Sequence, residues 1–318
     1  MNTKKKLTQI VVGLLAAVIV AAMWGAVTAC AHETWSLVKR LHPIMLLATF
    51  GLCVVYRVVN AAGWTLSLRS LGSDLRVTTG ARIWLASESC RWLPGSVWAY
   101  GSRAVLARKE GISVQTAAAA TALELVLTLL AWTMIAATAC IDANSRSTLL
   151  GLIPGSVTTV ACMLLAGVAV GLVLWRLRPA WLVRQLDRFS GLRVAQFSLR
   201  GVCTNLGFFV AANAFNGLIV VWLLQQGLDV RVPVLLVVSA NAVAWLVGFF
   251  AVFAPGGLVV REAALAAVLA TFLPPVDAIA IATLIRGLHL LSEMACLPLL
   301  IVGSERTAIA SQPEPAVQ

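Results

Sequence analysis

The stretch that decides the fold is Ala254-Pro255-Gly256-Gly257-Leu258-Val259-Val260-Arg261-Glu262, set inside an otherwise hydrophobic part of the chain. Proline and glycine interrupt a helix and free backbone groups that lipid cannot hydrogen-bond, and the two charges are costly in hydrocarbon. A second interruption is Arg91-Trp92-Leu93-Pro94-Gly95-Ser96-Val97-Trp98. If the chain spans a membrane, both stretches have to line a polar space that protein encloses.

The composition indicates a membrane protein. Of the 318 residues 60% are hydrophobic and 12% are charged, whereas about a quarter of the residues in soluble domains are charged. Apolar stretches of about 20 residues, enough to cross about 30 Å of hydrocarbon, recur along the chain. The net charge of +11 would suggest nucleic acid for a soluble protein, but basic cytoplasmic loops account for it here. The sequence therefore predicts an all-α polytopic protein whose partners are membrane lipids, without nucleic acid.

The apolar runs predict about seven transmembrane helices, at residues 7–31, 44–64, 117–141, 157–175, 202–224, 232–253 and 276–302. The two Pro-Gly stretches are predicted to be re-entrant helical hairpins. A full crossing at 83–100 would place Arg103, Arg108 and Lys109 outside, against the positive-inside rule. Near the predicted end of the second helix, Arg57 is expected to snorkel toward the cytoplasmic headgroups.

The expected location is the cell (inner) membrane, with the N-terminus in the cytoplasm. The first apolar run follows Lys4-Lys5-Lys6 and is longer than the core of a signal peptide, so an uncleaved first helix is predicted. Residues 1–303 are expected to form the membrane domain, and the polar residues 304–318 a disordered tail. The side of the C-terminus depends on whether the segment after Gly257 crosses, and it stays open.

The sequence also suggests an internal repeat. Placing residues 120–124 over 282–286, an offset of about 162, superposes the two Pro-Gly breaks to within one residue. The halves would cover about 41–141 and 201–303. Paired halves with interrupted helices are typical of transporter-like proteins that bind substrate near the bilayer midplane. The alternative is a chance alignment of Ala/Leu-rich helices.

The last predicted helix carries Arg286, His289 and Glu293 on one face, at i, i+3 and i+7. Arg286 lies about 15 Å along this helix, near the middle of the membrane. An unpaired arginine there costs at least about 2.5–3.5 kcal/mol on insertion scales. It therefore needs an anion, and the candidates are Glu124, Glu262 and a bound phosphate.

The predicted substrate-binding set contains polar and charged side chains at membrane depth: Arg103, Arg261, Arg286, Glu124, Glu262, His289, Glu293 and Asn213. The residues predicted to shape the cavity are those of the two breaks: Pro94, Gly95, Pro255, Gly256 and Gly257. Two alternatives stay open. The charges also fit a salt-bridge network that locks the halves together, and Asn213 fits interhelical hydrogen bonding as well as a headgroup path.

No catalytic residue, metal site or cofactor is predicted. The seven cysteines are scattered without CxxC spacing, and the sequence contains no P-loop, HExxH, GxSxG or GxGxxG motif. ATP-driven transport and hydrolysis by familiar routes therefore have no support from motifs.

The two break motifs, with Arg103 after the first and Arg261, Glu262 and Arg286 after the second, resemble the transmembrane region of lysylphosphatidylglycerol synthases. The resemblance covers nearly the whole chain, about 7–302. In the full-length synthases this region is regarded as a lipid flippase fused to a soluble aminoacyltransferase domain, which this chain is expected to lack. The resemblance implies handling of a phospholipid or a polyprenyl-linked lipid, and it does not imply aminoacylation.

The function predicted from these observations is that of a lipid flippase or transporter, not an enzyme. The headgroup of an anionic phospholipid or polyprenyl-linked lipid would be held in a cavity between the two re-entrant hairpins. The alternative is a non-transporting scaffold for enzymes of envelope lipid or glycan assembly. Further partners considered are a second copy of the chain and an envelope enzyme. A membrane-embedded transferase has weaker support, because the outer loops carry few acidic or histidine residues.

Overall fold

A computed structural model describes residues 31–73, 75–88, 98–141, 147–148, 151, 199–251, 254 and 257–296. In the first part of the chain the α-helices are α1 (Pro43–Ser70), α2 (Val77–Glu88), α3 (Trp98–Lys109) and α4 (Val114–Ala137). In the second part they are α5 (Leu199–Trp222), α6 (Val234–Phe250), α7 (Val260–Leu269) and α8 (Pro275–Cys296). Residues 31–40 are also helical, and no strand occurs among the residues described.

Four helical segments in the described part of the chain are long and apolar enough to cross a membrane. They are Pro43–Ser70, Val114–Ile141, Arg200–Gly227 and Pro275–Cys296, and they coincide with four of the predicted crossings. The predicted crossing at 232–253 is the shorter helix α6, whose 17 residues span about 26 Å. The predicted helices at 7–31 and 157–175 lie outside the described residues. The all-α, multi-pass class is as predicted.

Local sequence explains where the long helices begin. Pro43 starts α1, where its missing N–H is not needed, and the ring of His42 accepts a hydrogen bond from the Ile44 amide. Ser113 caps α4 by accepting a hydrogen bond from the Thr116 amide. These caps fix the start of two helices that carry polar side chains into the interior.

The same order of elements occurs twice. A long helix is followed by two short helices with a break between them, and then by another long helix: α1 to α4, then α5 to α8. Successive helices pack on each other within each group, while α1 contacts α5 and α8, and α4 contacts α5 and α6. A polar side chain on an inner face of these long helices therefore lies where the two groups meet.

Both breaks fall between short helices that pack together. The first separates α2 from α3, and the second separates α6 from α7. Pro94, Gly95, Pro255 and Gly256 lie outside the described residues, so their predicted role in shaping a cavity stays a prediction. The depth of the two helix pairs in a bilayer also stays a prediction.

Gly257 allows the second break to fold back onto α6. Its φ is +69°, and a Cβ added there would lie 2.6 Å from the carbonyl oxygen of Gly248. Gly248 is equally constrained, because its own Cβ would lie 3.0 Å from the Cβ of Arg261. Two glycines thus bring the start of α7, with Arg261, against the end of α6.

Val259 caps α7 with φ 71° and ψ −47°, close to the rare and strained γ-turn conformation. A β-branched residue with positive φ is a backbone outlier, and such strain costs on the order of 1–3 kcal/mol. Val259 is 44% exposed, so its side chain adds little packing to offset that cost.

We predict opposite effects for two substitutions in this break. Gly257→Ala should lower the thermal stability of the purified protein, because the new methyl group meets the Gly248 carbonyl. Val259→Gly should raise it, since glycine removes most of a strain of about 1–3 kcal/mol and adds only about 0.5–1 kcal/mol of unfolded-state entropy. Tm in detergent micelles, followed by tryptophan fluorescence, measures both.

The control is Gly101→Ala, because Gly101 lies in α3 and no atom beyond its chain neighbours and its own helix backbone lies within 4 Å of the position that an added Cβ would take. This substitution should leave Tm unchanged or raise it. Equal Tm values for Gly257→Ala and Gly101→Ala would contradict the close contact with Gly248.

Candidate functional site

A cavity of about 200 Å³ lies between the two groups of helices. It is smaller than the roughly 300–1,000 Å³ of pockets for drug-sized ligands, so it suits a headgroup and not a whole lipid. Its polar and charged wall consists of Tyr56, Arg57, Asn60, Glu88, Tyr100, Arg103, Glu124, Thr128, Asn216, Arg261, Arg286 and His289. Its aromatic wall consists of Trp84, Trp132, Trp245 and Phe249.

Arg103, on α3, connects the three helices around the first break. It is 1% exposed and pairs with Glu88 at the end of α2, with 3.0 Å between nitrogen and oxygen, and with Glu124 on α4. Its Nε donates to Ser87 Oγ at 3.0 Å. Two carboxylates and a hydroxyl thus hold one guanidinium group, so its orientation is fixed.

Two tryptophans complete the surroundings of this arginine. The rings of Trp64 and Trp84 lie 5.7 and 5.5 Å from the guanidinium carbon of Arg103, within cation–π range. The indole N–H of Trp84 also donates to Glu124 Oε1 at 2.6 Å. The Glu124 carboxylate therefore holds α2 as well as α3 against α4.

Of the three anions considered as partners of Arg286, Glu262 is the one that lies beside it. Arg286 Nε on α8 lies 3.3 Å from Glu262 Oε1 on α7, and the two side chains are 10% and 14% exposed. Both oxygens of Glu262 are buried, and within the part of the chain described they accept no hydrogen bond. The contact is therefore a charge pair without the directional geometry that Arg103 makes.

The two groups of helices carry these pairs with opposite polarity. Around the first break the short helix α3 supplies the arginine and the long helix α4 the glutamate. Around the second, the short helix α7 supplies the glutamate and the long helix α8 the arginine. Each break is thus tied to the long helix after it by an arginine–glutamate pair.

Arg57 differs from its expected position. It was expected to snorkel to the membrane surface, but it is 6% exposed and pairs with Glu293 at 2.6 Å. The reason is the length of α1, whose 28 residues span about 42 Å. Arg57 therefore lies in the middle of the helix, where Glu293 of α8 neutralises it.

His289 ends a chain of buried amides. Asn241 donates to Asn216 Oδ1 at 2.8 Å, and Asn216 Nδ2 lies 3.1 Å from His289 Nε2. With the amide nitrogen of Asn216 as the donor, Nε2 accepts. The rings of Tyr56 and His289 pack edge to face, with their centroids 5.7 Å apart. These contacts orient the imidazole ring in the cavity wall.

The predicted binding residues take three kinds of position. Those in the cavity wall are Arg103, Glu124, Arg261, Arg286 and His289. Glu262 and Glu293 are the partners of the wall arginines Arg286 and Arg57. Asn213 is fully buried and accepts a hydrogen bond from the Tyr56 hydroxyl at 3.3 Å. Of the residues predicted to shape the cavity, Gly257 lies in its wall.

The predicted set omitted several polar residues of the wall. Tyr56, Arg57 and Asn60 share one stretch of α1, and Glu88 and Asn216 come from α2 and α5. A signal for Arg57 and Glu88 was present in the sequence, because each is a charge inside an apolar stretch. Nothing in the sequence indicated which of the carboxylates each arginine would meet.

We predict that Arg57 and Glu293 are coupled in stability. Either Arg57→Met or Glu293→Leu alone should destabilise the protein by about 3–5 kcal/mol, because each removes one member of a buried ion pair and leaves the other charge buried. The double variant should recover most of that loss, since hydrophobic residues replace a buried pair at little cost. The free energies of unfolding of the wild type, the two single variants and the double variant, measured in detergent micelles, test this coupling.

The matched control is the exposed pair of Arg40 and Asp277, at 2.5 Å, with side chains 55% and 28% exposed. Removing it should change stability by no more than about 1 kcal/mol. A double variant of Arg57 and Glu293 as unstable as the worse single variant would refute the coupling.

Nearly the whole chain matches one known protein family. The family described as the lysylphosphatidylglycerol synthase TM region matches residues 9–295. That range includes both breaks and every residue of the cavity wall. No curated protein gives a significant match to the chain. The chain belongs to the family of the lysylphosphatidylglycerol synthase transmembrane region.

Proposed function

We propose that this membrane protein is a flippase that moves an anionic lipid across the bilayer and holds the headgroup in the cavity between the two groups of helices. The observation that carries the proposal is the wall of that cavity, which gathers arginines from α1, α3, α7 and α8. Membership of a family named for a phospholipid synthase supports a lipid as the cargo. An anionic phospholipid and a polyprenyl-linked lipid share the charged phosphate that such a wall would bind.

The charge distribution in the wall favours an anion. Four arginines and two glutamates line the cavity, while Glu262 and Glu293 neutralise two of the arginines without being part of the wall. A phosphate that enters the cavity therefore meets guanidinium groups before it meets those two carboxylates. Charge-assisted hydrogen bonds from arginine to phosphate are about twice as strong as neutral ones.

The two breaks border the cavity. Glu88 and Ala99 come from the helices on either side of the first break, and Ala251, Ala254 and Gly257 belong to the second. We propose that the two Pro-Gly breaks are re-entrant segments that enclose the headgroup at membrane depth. Non-helical backbone is tolerated there only where it lines such a cavity.

The glutamates in and beside the cavity complete the proposed site. The glutamates would balance charge or relay protons, and no catalytic role is assigned to any of them. The family match is to the membrane region and not to a synthetase domain, which agrees with transport without aminoacylation. The proposed location is the cell (inner) membrane, with the N-terminus in the cytoplasm.

We predict that Arg261→Gln slows lipid movement by about 10- to 100-fold, the factor for one charged hydrogen bond. Arg261 is chosen because it lines the cavity and is only partly buried, so the variant should fold. The assay reconstitutes the protein in liposomes with a headgroup-labelled fluorescent phosphatidylglycerol or a labelled polyprenyl phosphate. A membrane-impermeant quencher then reports how much label has reached the inner leaflet.

Arg40→Gln is the control, because Arg40 is exposed and lies outside the cavity wall. It should transport at the wild-type rate. Unchanged transport by folded Arg261→Gln would refute the binding site. A wild-type protein that moves neither lipid would refute the transporter and leave the scaffold, which predicts co-purification with an envelope enzyme.

A further inference from the structure

Four aromatic side chains form a continuous series from the cavity outward, which we call the aromatic ladder. Trp132 on α4 stacks on Trp245 of α6, with ring centroids 5.3 Å apart. Trp245 stacks on Phe249 at 5.4 Å, and Phe249 meets Phe250 edge-on, also at 5.4 Å. The ladder thus crosses from one group of helices to the other.

The ladder leads from the interior to the surface. Trp132 is completely buried, Trp245 is partly buried, and Phe249 and Phe250 are 36% and 44% exposed. The first three rings belong to the wall of the cavity that holds the arginines. On an apolar helix such as α6, an exposed ring meets hydrocarbon at membrane depth. The ladder therefore connects the polar cavity with the region of the lipid chains.

The inner end of the ladder carries a buried donor without an acceptor. Trp132 Nε1 makes no hydrogen bond to the residues described. The indole N–H groups of Trp64 and Trp84 do have acceptors, namely Thr121 Oγ1 at 3.1 Å and Glu124 Oε1. Buried tryptophans usually find such a partner. The exception belongs to a residue of the cavity wall, which makes a ligand oxygen the candidate acceptor.

Packing alone explains only part of this arrangement. Stacked rings would fasten α4 to α6, but packing needs neither the exposed outer rings nor a donor left without an acceptor beside a cavity. A ligand with an apolar chain and an oxygen at one end accounts for the exposed outer rings and for the donor without an acceptor, and it is compatible with the stacking. Its chain gains dispersion contacts with the ring surfaces that remain exposed. A lipid has that composition, with its oxygen where the chain joins the headgroup.

We propose that the aromatic ladder binds the hydrocarbon chain of the lipid and that Trp132 Nε1 donates a hydrogen bond to an oxygen at the headgroup end of that chain. This rests on the proposed function, because the headgroup has to occupy the cavity. During transport the hydrocarbon chain then lies on the aromatic ladder, and the cavity opens toward the membrane on its α6 side.

Photo-crosslinking of the full chain in liposomes tests the ladder. One arm uses phosphatidylglycerol with a diazirine in its acyl chain, and the other uses a polyprenyl phosphate with a photoreactive group in its chain. Mass spectrometry should find label concentrated at Trp245, Phe249 and Phe250 for the cargo lipid. Label spread evenly over exposed positions such as Leu47 and Val55, which are 69% and 50% exposed, would overturn the proposal.

Phe249→Ala should reduce labelling of the ladder several-fold. The matched control is Phe272→Ala, because Phe272 is 37% exposed, almost the same as Phe249, and lies outside the cavity wall. The control should leave labelling of the ladder unchanged. Equal loss from both variants, or loss from neither, would overturn the role of the ladder.

Trp132→Phe tests the hydrogen bond, since it removes the N–H and keeps an aromatic ring. The lipid concentration for half-maximal labelling should rise about 2- to 10-fold, the factor for one neutral hydrogen bond. Tm without added lipid should fall, because the smaller ring leaves a cavity at a fully buried position, so the labelling is measured at a temperature where the variant is folded. Unchanged half-maximal labelling of the folded variant would overturn this contact.

Transport and ladder binding can fail separately. Transport by the wild type without label on the ladder would reject the ladder and leave the proposed function standing. Label on the ladder without transport would reject the flippase and leave a lipid-binding site.

Discussion

A guanidinium group inside hydrocarbon has to meet a carboxylate from another helix, because an unpaired charge there costs several kcal/mol. Arg57, Arg103 and Arg286 each satisfy this requirement with a partner on a different helix. The pairs join α1 to α8, α3 to α4 and α7 to α8, so they determine which inner faces meet. The cavity lies where those faces come together, and its charge follows from the same pairs.

The three pairs are not equivalent. Arg103 is held by two carboxylates, a hydroxyl and two aromatic rings, whereas Arg286 faces a carboxylate without hydrogen-bond geometry. The strained Val259 and the close contact of Gly257 with Gly248 lie at the second break, beside the pair of Arg286 and Glu262.

Apolar run length was sufficient to predict the all-α class and four long helices. Five of the residues predicted to bind substrate lie in the cavity wall, while their binding of a substrate stays a prediction. Partner choice was not predictable, because it depends on how long each helix is and which face it turns inward. Arg57 was misplaced because α1 continues to Ser70, beyond the expected end at 64. Trp132 and Trp245 gave no sequence signal, since stacking between distant helices leaves no periodic pattern.

The pair of Arg57 and Glu293 also bears on how the protein is made. Arg103 finds Glu124 in the next helix along the chain, and Glu262 finds Arg286 in the same way. Arg57 belongs to an early helix and its carboxylate to the last one described. During synthesis the ribosome therefore delivers this arginine to the membrane long before its counter-charge exists. Docking of α8 against α1 is the step that closes the bundle, and it comes only after every other helix described here has been translated.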